Sequence, residues 1–144
     1  MQNHSEIKEK PINLFIISET TDTIETVDKA LIAFTKFDTV TFSCINKAMA
    51  KLILIVEILK VKIEGNYAFL LLTILQIGLH QINSLETITI IPAEERDDNK
   101  KNDFLVTRLR INLLKQKPNQ IESGGFYQEP YSKEKIDSIK CILL

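Results

Sequence analysis

The sequence predicts a mixed α+β domain in which strands and helices follow the order βαβαββ and the last two strands form a long hairpin. Two observations predict this class. Short runs rich in β-branched residues alternate with longer stretches whose apolar residues recur at helical spacing. The last two strand-like runs then follow one another with only a charged loop between them, as in a hairpin. The 144 residues, 44% of them hydrophobic, are enough for one domain with a core.

The first half of the chain predicts two strand–helix units. Residues 12–17 form a short β-rich run typical of a buried strand, and apolar residues at helical spacing predict a helix over residues 22–36. Residues 39–43 are largely β-branched and predict the second strand. Ser43 is a candidate N-cap for a helix over residues 45–60.

The predicted second helix is apolar on more than one face. A surface helix of a globular domain needs only one apolar stripe, so this helix should bury two sides. We expect one side to lie on the sheet. The other should lie on a partner chain or on the extra apolar segment at about residues 66–78.

The second half predicts the hairpin. Residues 85–91 alternate between apolar and polar and end at Pro92, and residues 104–114 alternate again after a charged loop. This alternation places Arg108 and Arg110 on one face of the last strand. The residues expected to lie inward or near the core are Leu105, Leu109, Ile111 and Leu113.

The chain divides into a domain over residues 12–117 and a C-terminal tail over residues 118–144. The tail is loop-like around its glycines and prolines, and a short helix is expected at residues 133–139. The chain start shows no secretory signal, which favours a reducing intracellular compartment.

Three short motifs occur in an order that matches a known family. The predicted second helix begins with INKA at residues 45–48 and ends with VEILK at residues 56–60. LHQ at residues 79–81 follows a glycine and precedes the third strand, and GFYQEP at residues 125–130 follows the last strand. Over residues 12–130 this pattern resembles the eukaryotic Alba family, nearest the Alba-type subunits of RNase P and RNase MRP.

The resemblance implies a two-layer βαβαββ sandwich with a long β3–β4 hairpin. It also implies a non-catalytic protein that binds RNA, DNA or both, mainly through phosphates. By the same resemblance the chain works as a homodimer or as a heterodimer with another Alba-like chain. The implied setting is a ribonucleoprotein of the RNase P/MRP type, in the nucleus, the cytoplasm or both.

The sequence departs from the family pattern at three places. The glycine-rich turn before the second helix is missing, and residues 18–21 replace the paired lysines that archaeal members carry after the first strand. Residues 66–78 split a motif that the family keeps continuous. This segment is either a true insertion beside the second helix, which would alter the dimer face, or a translated intron or gene-model error. We favour the second interpretation, because an exposed apolar run of high β-propensity is a sticky patch.

The candidate nucleic-acid contacts are cations of two basic stretches and of the predicted hairpin tip. The formal net charge is −1, but residues 44–63 and 104–117 are each rich in Lys or Arg. The candidates are Lys47, Lys51, Lys60, Lys62, Arg96, Lys100, Lys101, Arg108, Arg110 and Lys115. If the second helix and the hairpin lie on the same side, the two stretches form one phosphate-binding surface. The alternatives remain open: a lone lysine also fits a solvated helix edge, and the arginines fit a sheet face kept soluble by charge.

Two lysines and two arginines carry most of this interpretation. Lys47 and Lys51 are four residues apart, so they share one face near the helix N-terminus, where free N–H groups also attract phosphate. Arg108 and Arg110 are two apart on a strand and are expected to be continued by Lys115 and by Lys117. Arginine suits bidentate phosphate contact and stacking on bases.

No pattern in the sequence indicates catalysis, so we expect no enzymatic activity, no metal site and no cofactor. A lone His80 has no Cys or His neighbours at ligand spacing, and we expect it to structure the turn into the third strand or to lie at an RNA-contacting or partner surface. Phe126 and Tyr127 are expected either to stack on a base or to pin the tail.

The last four residues, Cys141 to Leu144, fit the C-a-a-X prenylation pattern, with Leu favouring geranylgeranyl. Lys133, Lys135 and Lys140 would supply the electrostatic signal that stable anchoring needs. The alternative to prenylation is an unmodified apolar chain end or a misread last exon. Prenylation defines a competing function, in which the chain is a membrane-anchored protein-interaction module that has lost nucleic-acid affinity.

Overall fold

The computed structural model describes residues 12–63, 78–90 and 104–143. Within these ranges it contains five strands and three helices. In chain order they are β1 (Leu14–Ile17), α1 (Thr23–Phe34), β2 (Thr39–Ile45), a 3-10 turn (Asn46–Ala48), α2 (Met49–Lys62), β3 (His80–Ile90), β4 (Phe104–Leu114), β5 (Gly125–Gln128) and α3 (Lys133–Leu143). The predicted mixed α+β class, the βαβαββ order and the long hairpin are confirmed. The segment expected to be a tail adds β5 and α3.

The strands form one sheet in the order β1-β2-β4-β3-β5. β1 runs parallel to β2, and the other neighbouring strands are antiparallel. The pairing of β2 with β4 ends at Ile45↔Arg108, whereas β3 and β4 stay paired to Ile90↔Phe104. Residues 87–90 and 104–107 therefore project beyond β2 as a two-stranded hairpin arm of about 13 Å.

The core lies between α1, α2 and one face of the sheet. Alternate residues of β2 and β4 point into it, because successive strand side chains project to opposite faces. Val40, Phe42 and Leu113 have no exposed surface. The helices contribute Val27, Ala30, Ala33 and Phe34 from α1 and Leu52, Ile55, Val56 and Leu59 from α2. Burial of each large side chain stabilises the fold by about 1.5–3 kcal/mol.

The predicted inward side of the last strand is largely confirmed. Leu109, Ile111 and Leu113 are buried in the core. Leu105 is 73% exposed, because it lies on the hairpin arm beyond the last β2 pair.

The two helices on the sheet begin differently. Asp22 caps α1, and its Oδ1 accepts the Glu25 N–H at 2.8 Å. The predicted N-cap role of Ser43 is wrong, because β2 continues through Ile45 and Ser43 is a buried residue of that strand. The side chains that precede the 3-10 turn and α2 make no capping hydrogen bond.

The second side of α2 is partly covered by α3. Ile136 of α3 is buried, and the Tyr131 hydroxyl just before α3 donates to Glu57 of α2 at 2.7 Å. Ile53 and Leu54 of α2 remain 49% and 40% exposed. The helix therefore buries two sides, as expected, but the second side lies partly on α3, which was not the element predicted to cover it. An apolar strip remains uncovered by the described residues. The apolar segment at residues 66–78 lies outside the described residues except for Gly78.

Candidate nucleic-acid interface

The junction between β2 and α2 lies beside β4 at the root of the hairpin arm. Asn46 has φ 48°, a left-handed conformation that asparagine tolerates better than most residues. Its side-chain Oδ1 accepts the Thr107 N–H of β4 at 3.4 Å. Because Ile45 also pairs directly with Arg108, Lys47 lies at the same end of the sheet as Arg108. We name Asn46, Lys47, Arg108 and Arg110 the hairpin-root surface.

Arg108 and Arg110 project from the same side of β4, as predicted from their spacing. That side is the sheet face opposite the helices, so the condition that the second helix and these arginines lie on the same side is not met, and α2 approaches them only at its start. Their side chains are 31% and 43% exposed. Glu86 lies directly across from Arg108 on β3 and accepts from its guanidinium. The Arg110 guanidinium is 4.0 Å from the same carboxylate. One acid therefore faces two arginines, and part of their charge is already compensated.

The two lysines near the start of α2 have different environments. Lys47 is exposed and lines a shallow depression with Glu19, Ile45, Asn46 and Ala48. The Lys51 ammonium donates to the carbonyl oxygens of Glu19 and Thr21, the latter at 2.9 Å, and so ties the β1–α1 loop to α2. Lys47 is therefore the more accessible of these two candidates, whereas Lys51 makes structural contacts.

Lys60 is corrected from a surface candidate to a buried residue. Its side chain has no exposed surface, and its ammonium lies 4.1 Å from the centroid of the Tyr131 ring. Tyr131 and α3 cover this side of α2, which the local sequence around Lys60 does not reveal. A phosphate cannot reach Lys60 in this fold.

Two further candidates lie away from the hairpin root. Lys62 is the last residue of α2, about 20 Å along the helix from its start. Lys115 follows β4 at the end opposite the arm, about 23 Å from Arg108 along the strand, and its ammonium lies 4.0 Å from Asp38. The expectation that Lys115 continues the arginine pair is therefore wrong in geometry. Arg96, Lys100 and Lys101 lie outside the described residues.

His80 and Tyr127 lie on the same sheet face as Arg108 and Arg110, and Lys117 is close to the Tyr127 ring. The Tyr127 hydroxyl and His80 Nδ1 share a hydrogen bond of 2.6 Å, and their rings are nearly parallel with centroids 5.9 Å apart. The Lys117 ammonium is 5.9 Å from the Tyr127 ring centroid. Burial, and secondarily the charge of Lys117, lower the pKa of His80, while Glu129 acts in the opposite direction. The sequence singled out His80 and Tyr127 separately but gave no sign that they meet.

The cysteines show no sign of a shared site. Cys44 is buried in the core, and burial raises the pKa of its thiol. Cys141 is exposed on α3. In residues 12–63, 78–90 and 104–143, no group of three or more His, Cys, Asp or Glu side chains is placed to hold a metal ion. None of the helices in this part of the chain is long and apolar enough to cross a membrane.

The fold and this surface define a class of small α+β domain, with helices on one face of a mixed sheet and cations at the root of a two-stranded arm. A model of the Alba family matches residues 13–89, more than half of the sequence, and the chain belongs to the Alba family. Among solved structures, the chain is similar to Alba from Thermoplasma volcanium. The two are 16% identical, the match covers 71% of this chain and 99% of that chain, and the TM-score is 0.49. No curated protein matches the sequence.

Family membership confirms the resemblance to the Alba family over residues 13–89, which include the INKA, VEILK and LHQ motifs. The GFYQEP motif at residues 125–130 lies outside the matched residues, so its part in the resemblance stays a prediction. Nearness to the RNase P and RNase MRP subunits stays a prediction. Apart from Lys60, which burial removes, the individual contact residues also stay predictions, because the family match tests none of them.

Proposed function

We propose that this protein is a non-catalytic nucleic-acid-binding protein that holds the phosphates of RNA or DNA with its hairpin-root surface. One observation carries the proposal. The Ile45↔Arg108 pair and the Asn46–Thr107 hydrogen bond bring cations from two stretches, more than fifty residues apart in sequence, to one end of the sheet.

The chemistry of this surface suits phosphate. Arg108 and Arg110 are partly exposed, and a guanidinium can hold two phosphate oxygens at once. Lys47 adds a third cation beside the start of a helical segment, whose backbone N–H groups have no side-chain cap. These groups recognise charge and not base identity, so sequence preference should be low.

Glu86 limits the affinity that we expect for nucleic acid. Its carboxylate already contacts Arg108, so a phosphate must compete with it for that guanidinium. We therefore expect modest affinity with a strong dependence on salt, because each neutralised phosphate releases counterions. Arg96, Lys100 and Lys101 would extend the contact along the hairpin arm.

We further propose that the protein works as a dimer, with itself or with another Alba-like chain. A groove on the helix side of the sheet is lined by Ile53 of α2, Leu85 of β3 and Phe126 of β5. These three side chains are 49%, 59% and 69% exposed, which is unusual for large apolar residues grouped together. An RNase P/MRP-like ribonucleoprotein in the nucleus or cytoplasm remains the setting that we propose.

The central test compares Arg108→Gln/Arg110→Gln with Lys29→Gln/Lys36→Gln. Both pairs remove two positive charges from exposed or partly exposed positions, but Lys29 and Lys36 belong to α1 and the residues after it, away from the hairpin root. Filter binding with a structured RNA and a duplex DNA, each at two salt concentrations, measures affinity. We expect the arginine variant to lose at least tenfold in affinity and about 1.8 in salt slope on duplex DNA, and the lysine variant to lose little.

Two results would contradict the proposal. Equal losses in the two variants would show that only net charge matters. Affinity of the unmodified protein that hardly changes with salt would show that phosphates are not the main ligand. Thermal melting of each variant checks that the fold is intact.

The competing function is a membrane-anchored interaction module. The exposure of Cys141 on α3 favours it, since a prenyl transferase could reach the thiol. The motif also requires that Leu144 end the chain in the cell. Detergent partition of the unmodified protein and of Cys141→Ser tests this function, and equal partition would exclude it. An intact mass of the cellular protein would settle both the lipid and the presence of residues 66–78.

A further inference from the structure

The sheet face opposite the helices is open over the described residues, and its side chains form rows fixed by strand register. Tyr127 of β5 pairs with Ile82 of β3, Ile82 pairs with Asn112 of β4, and Asn112 pairs with Thr41 of β2. Side chains of paired residues project from the same face. Arg110 lies one row further along β4 and Arg108 two rows further. Tyr127 therefore shares its face with the arginines of the hairpin root.

The Tyr127 ring is held in place from two sides. Its hydroxyl is bonded to His80 Nδ1 at 2.6 Å, and the two rings are inclined by only 17°. The main chain at Tyr127 is fixed by the pairing of β5 with β3. A partly exposed aromatic pair that is already ordered loses little conformational entropy when a flat ligand lies on it.

The next aromatic residue serves as an internal comparison. Phe126 pairs with Asn83, so its side chain projects to the helix side of the sheet, where it lines the groove with Ile53 and Leu85. Adjacent residues of β5 thus present one aromatic ring to each face. Of these two rings, Tyr127 is the one that shares a face with Arg108 and Arg110.

We propose that Tyr127 and His80 form a stacking site for an unpaired base, with Lys117 and Arg110 contacting the phosphates on either side of it. The ligand class is a single-stranded segment of RNA or DNA, and the site rests on the proposed phosphate binding at the hairpin root. Aromatic rings on an open sheet face, bordered by cations, are the arrangement by which proteins hold single strands.

The distances fit one ligand strand. From Tyr127 to Arg110 the path crosses two strand spacings and one row, about 12 Å between Cα atoms. Lys117 lies 5.9 Å from the ring centroid, near the outer limit of a cation–π contact. A base can therefore take its place over the ring while the ammonium turns to a neighbouring phosphate. Burial and the nearby Lys117 lower the pKa of His80 and so favour the neutral imidazole. A neutral imidazole does not repel Lys117, and it can remain beside the Tyr127 ring when a base stacks there.

The test compares Tyr127→Leu with Phe126→Leu on two probes. The probes are a short oligouridine strand and an RNA duplex with the same number of phosphates. We expect Tyr127→Leu to weaken oligouridine binding about tenfold, the value of one stacked base, and to leave duplex binding unchanged. Phe126→Leu should change neither, and Tyr127→Phe should keep most of the affinity because it keeps the ring.

A second variant guards against misfolding of Tyr127→Leu. Lys117→Gln should lower the salt slope of oligouridine binding by about 0.7, the loss of one phosphate contact on a single strand. The stacking site is overturned if Tyr127→Leu binds oligouridine as tightly as the unmodified protein does, or if it weakens both probes equally. Loss of duplex binding in Arg108→Gln/Arg110→Gln without any effect of Tyr127→Leu would leave the proposed function intact and remove only this site. Failure of the unmodified protein to bind either probe would remove both.

Discussion

At the scale of single residues, the balance of charge at the hairpin root depends on Glu86. It is the nearest carboxylate to both Arg108 and Arg110 among the described residues, and it lies directly across from Arg108 on β3. Exposed ion pairs of this kind contribute little to stability, usually below about 1 kcal/mol. The main effect of Glu86 is therefore on binding.

Glu86→Gln should bind nucleic acid more tightly than the unmodified protein. The substitution keeps the shape of the side chain and frees Arg108 to meet a phosphate, so the salt slope on duplex DNA should rise by about 0.9. Glu25→Gln is the matched control, because Glu25 also forms an exposed ion pair, with Lys29 on α1. Filter binding measures both variants. Unchanged or weaker binding of Glu86→Gln would show that Arg108 does not contact phosphate.

The lowered pKa of His80 should make the free energy of unfolding fall as the pH falls. Above about pH 6.5, the ordinary pKa of histidine, His80 is neutral in the folded and the unfolded state. As the pH falls below that value, the unfolded chain takes up the proton more readily, because burial lowers the pKa in the folded state. The free energy of unfolding should therefore fall until the pH passes the folded pKa. Urea unfolding of the unmodified protein and of His80→Gln measures this, and identical slopes would contradict it.

At the scale of elements, α3 is the piece of structure that local sequence describes least well. Its helical pattern is visible, but the surface on which it packs is not. Tyr131 bonds to Glu57 and lies over Lys60, and these contacts join residues about seventy apart in sequence. They determine that Lys60 is buried, whereas the spacing of α2 alone places it among the surface cations.

Two isoleucines of α3 should differ sharply in their effect on stability. Ile136 is 3% exposed and Ile142 is 82% exposed. Ile136→Ala should lower the free energy of unfolding by about 2 kcal/mol or more, and Ile142→Ala by less than about 0.5 kcal/mol. Urea denaturation gives both values. A small loss at Ile136 would mean that α3 does not pack on α2 in solution.

The same contrast explains what the sequence predicts and what it does not. Alternation over residues 104–114 correctly placed Arg108 and Arg110 on one face, because period-two patterns follow directly from strand geometry. Which residue lies opposite each arginine depends on the register of β3 with β4, and no local pattern encodes the identity of Glu86 as that neighbour. The prediction of Ser43 as an N-cap was wrong for a related reason. Its hydroxyl has the chemistry of a cap, which is a local property, but pairing with β4 keeps Ser43 in the strand.

At the scale of the whole molecule, the sheet separates two surfaces. The open face carries the arginines together with Tyr127 and His80, and the helix side carries the apolar groove of Ile53, Leu85 and Phe126. Polar and charged contacts suit nucleic acid, whereas an apolar groove suits another folded chain. The proposed nucleic-acid binding and the proposed self-association would therefore use different surfaces.

Ile53→Glu should weaken self-association without unfolding the chain. A carboxylate in the groove would have to be desolvated on association, and Ile53 is 49% exposed in the single chain. Ile24→Glu on α1 is the control, since Ile24 is 73% exposed and lies outside this groove. Light scattering after gel filtration measures the mass. A dimer that survives Ile53→Glu but dissociates in Ile24→Glu would place the interface on α1.

The hairpin arm has a consequence for how the molecule meets a long polymer. Beyond Ile45 on one side and Ser84 on the other, the described parts of β4 and β3 pair only with each other, so main-chain hydrogen-bonding groups are open along both borders of the ribbon. The Thr107 N–H, which donates to Asn46, is an exception. A ribbon of two strands holds together weakly by itself. Contact with a bound nucleic acid would make the ribbon more rigid. Amide protons of residues 87–90 and 104–107 should therefore exchange more slowly in the complex than in the free protein.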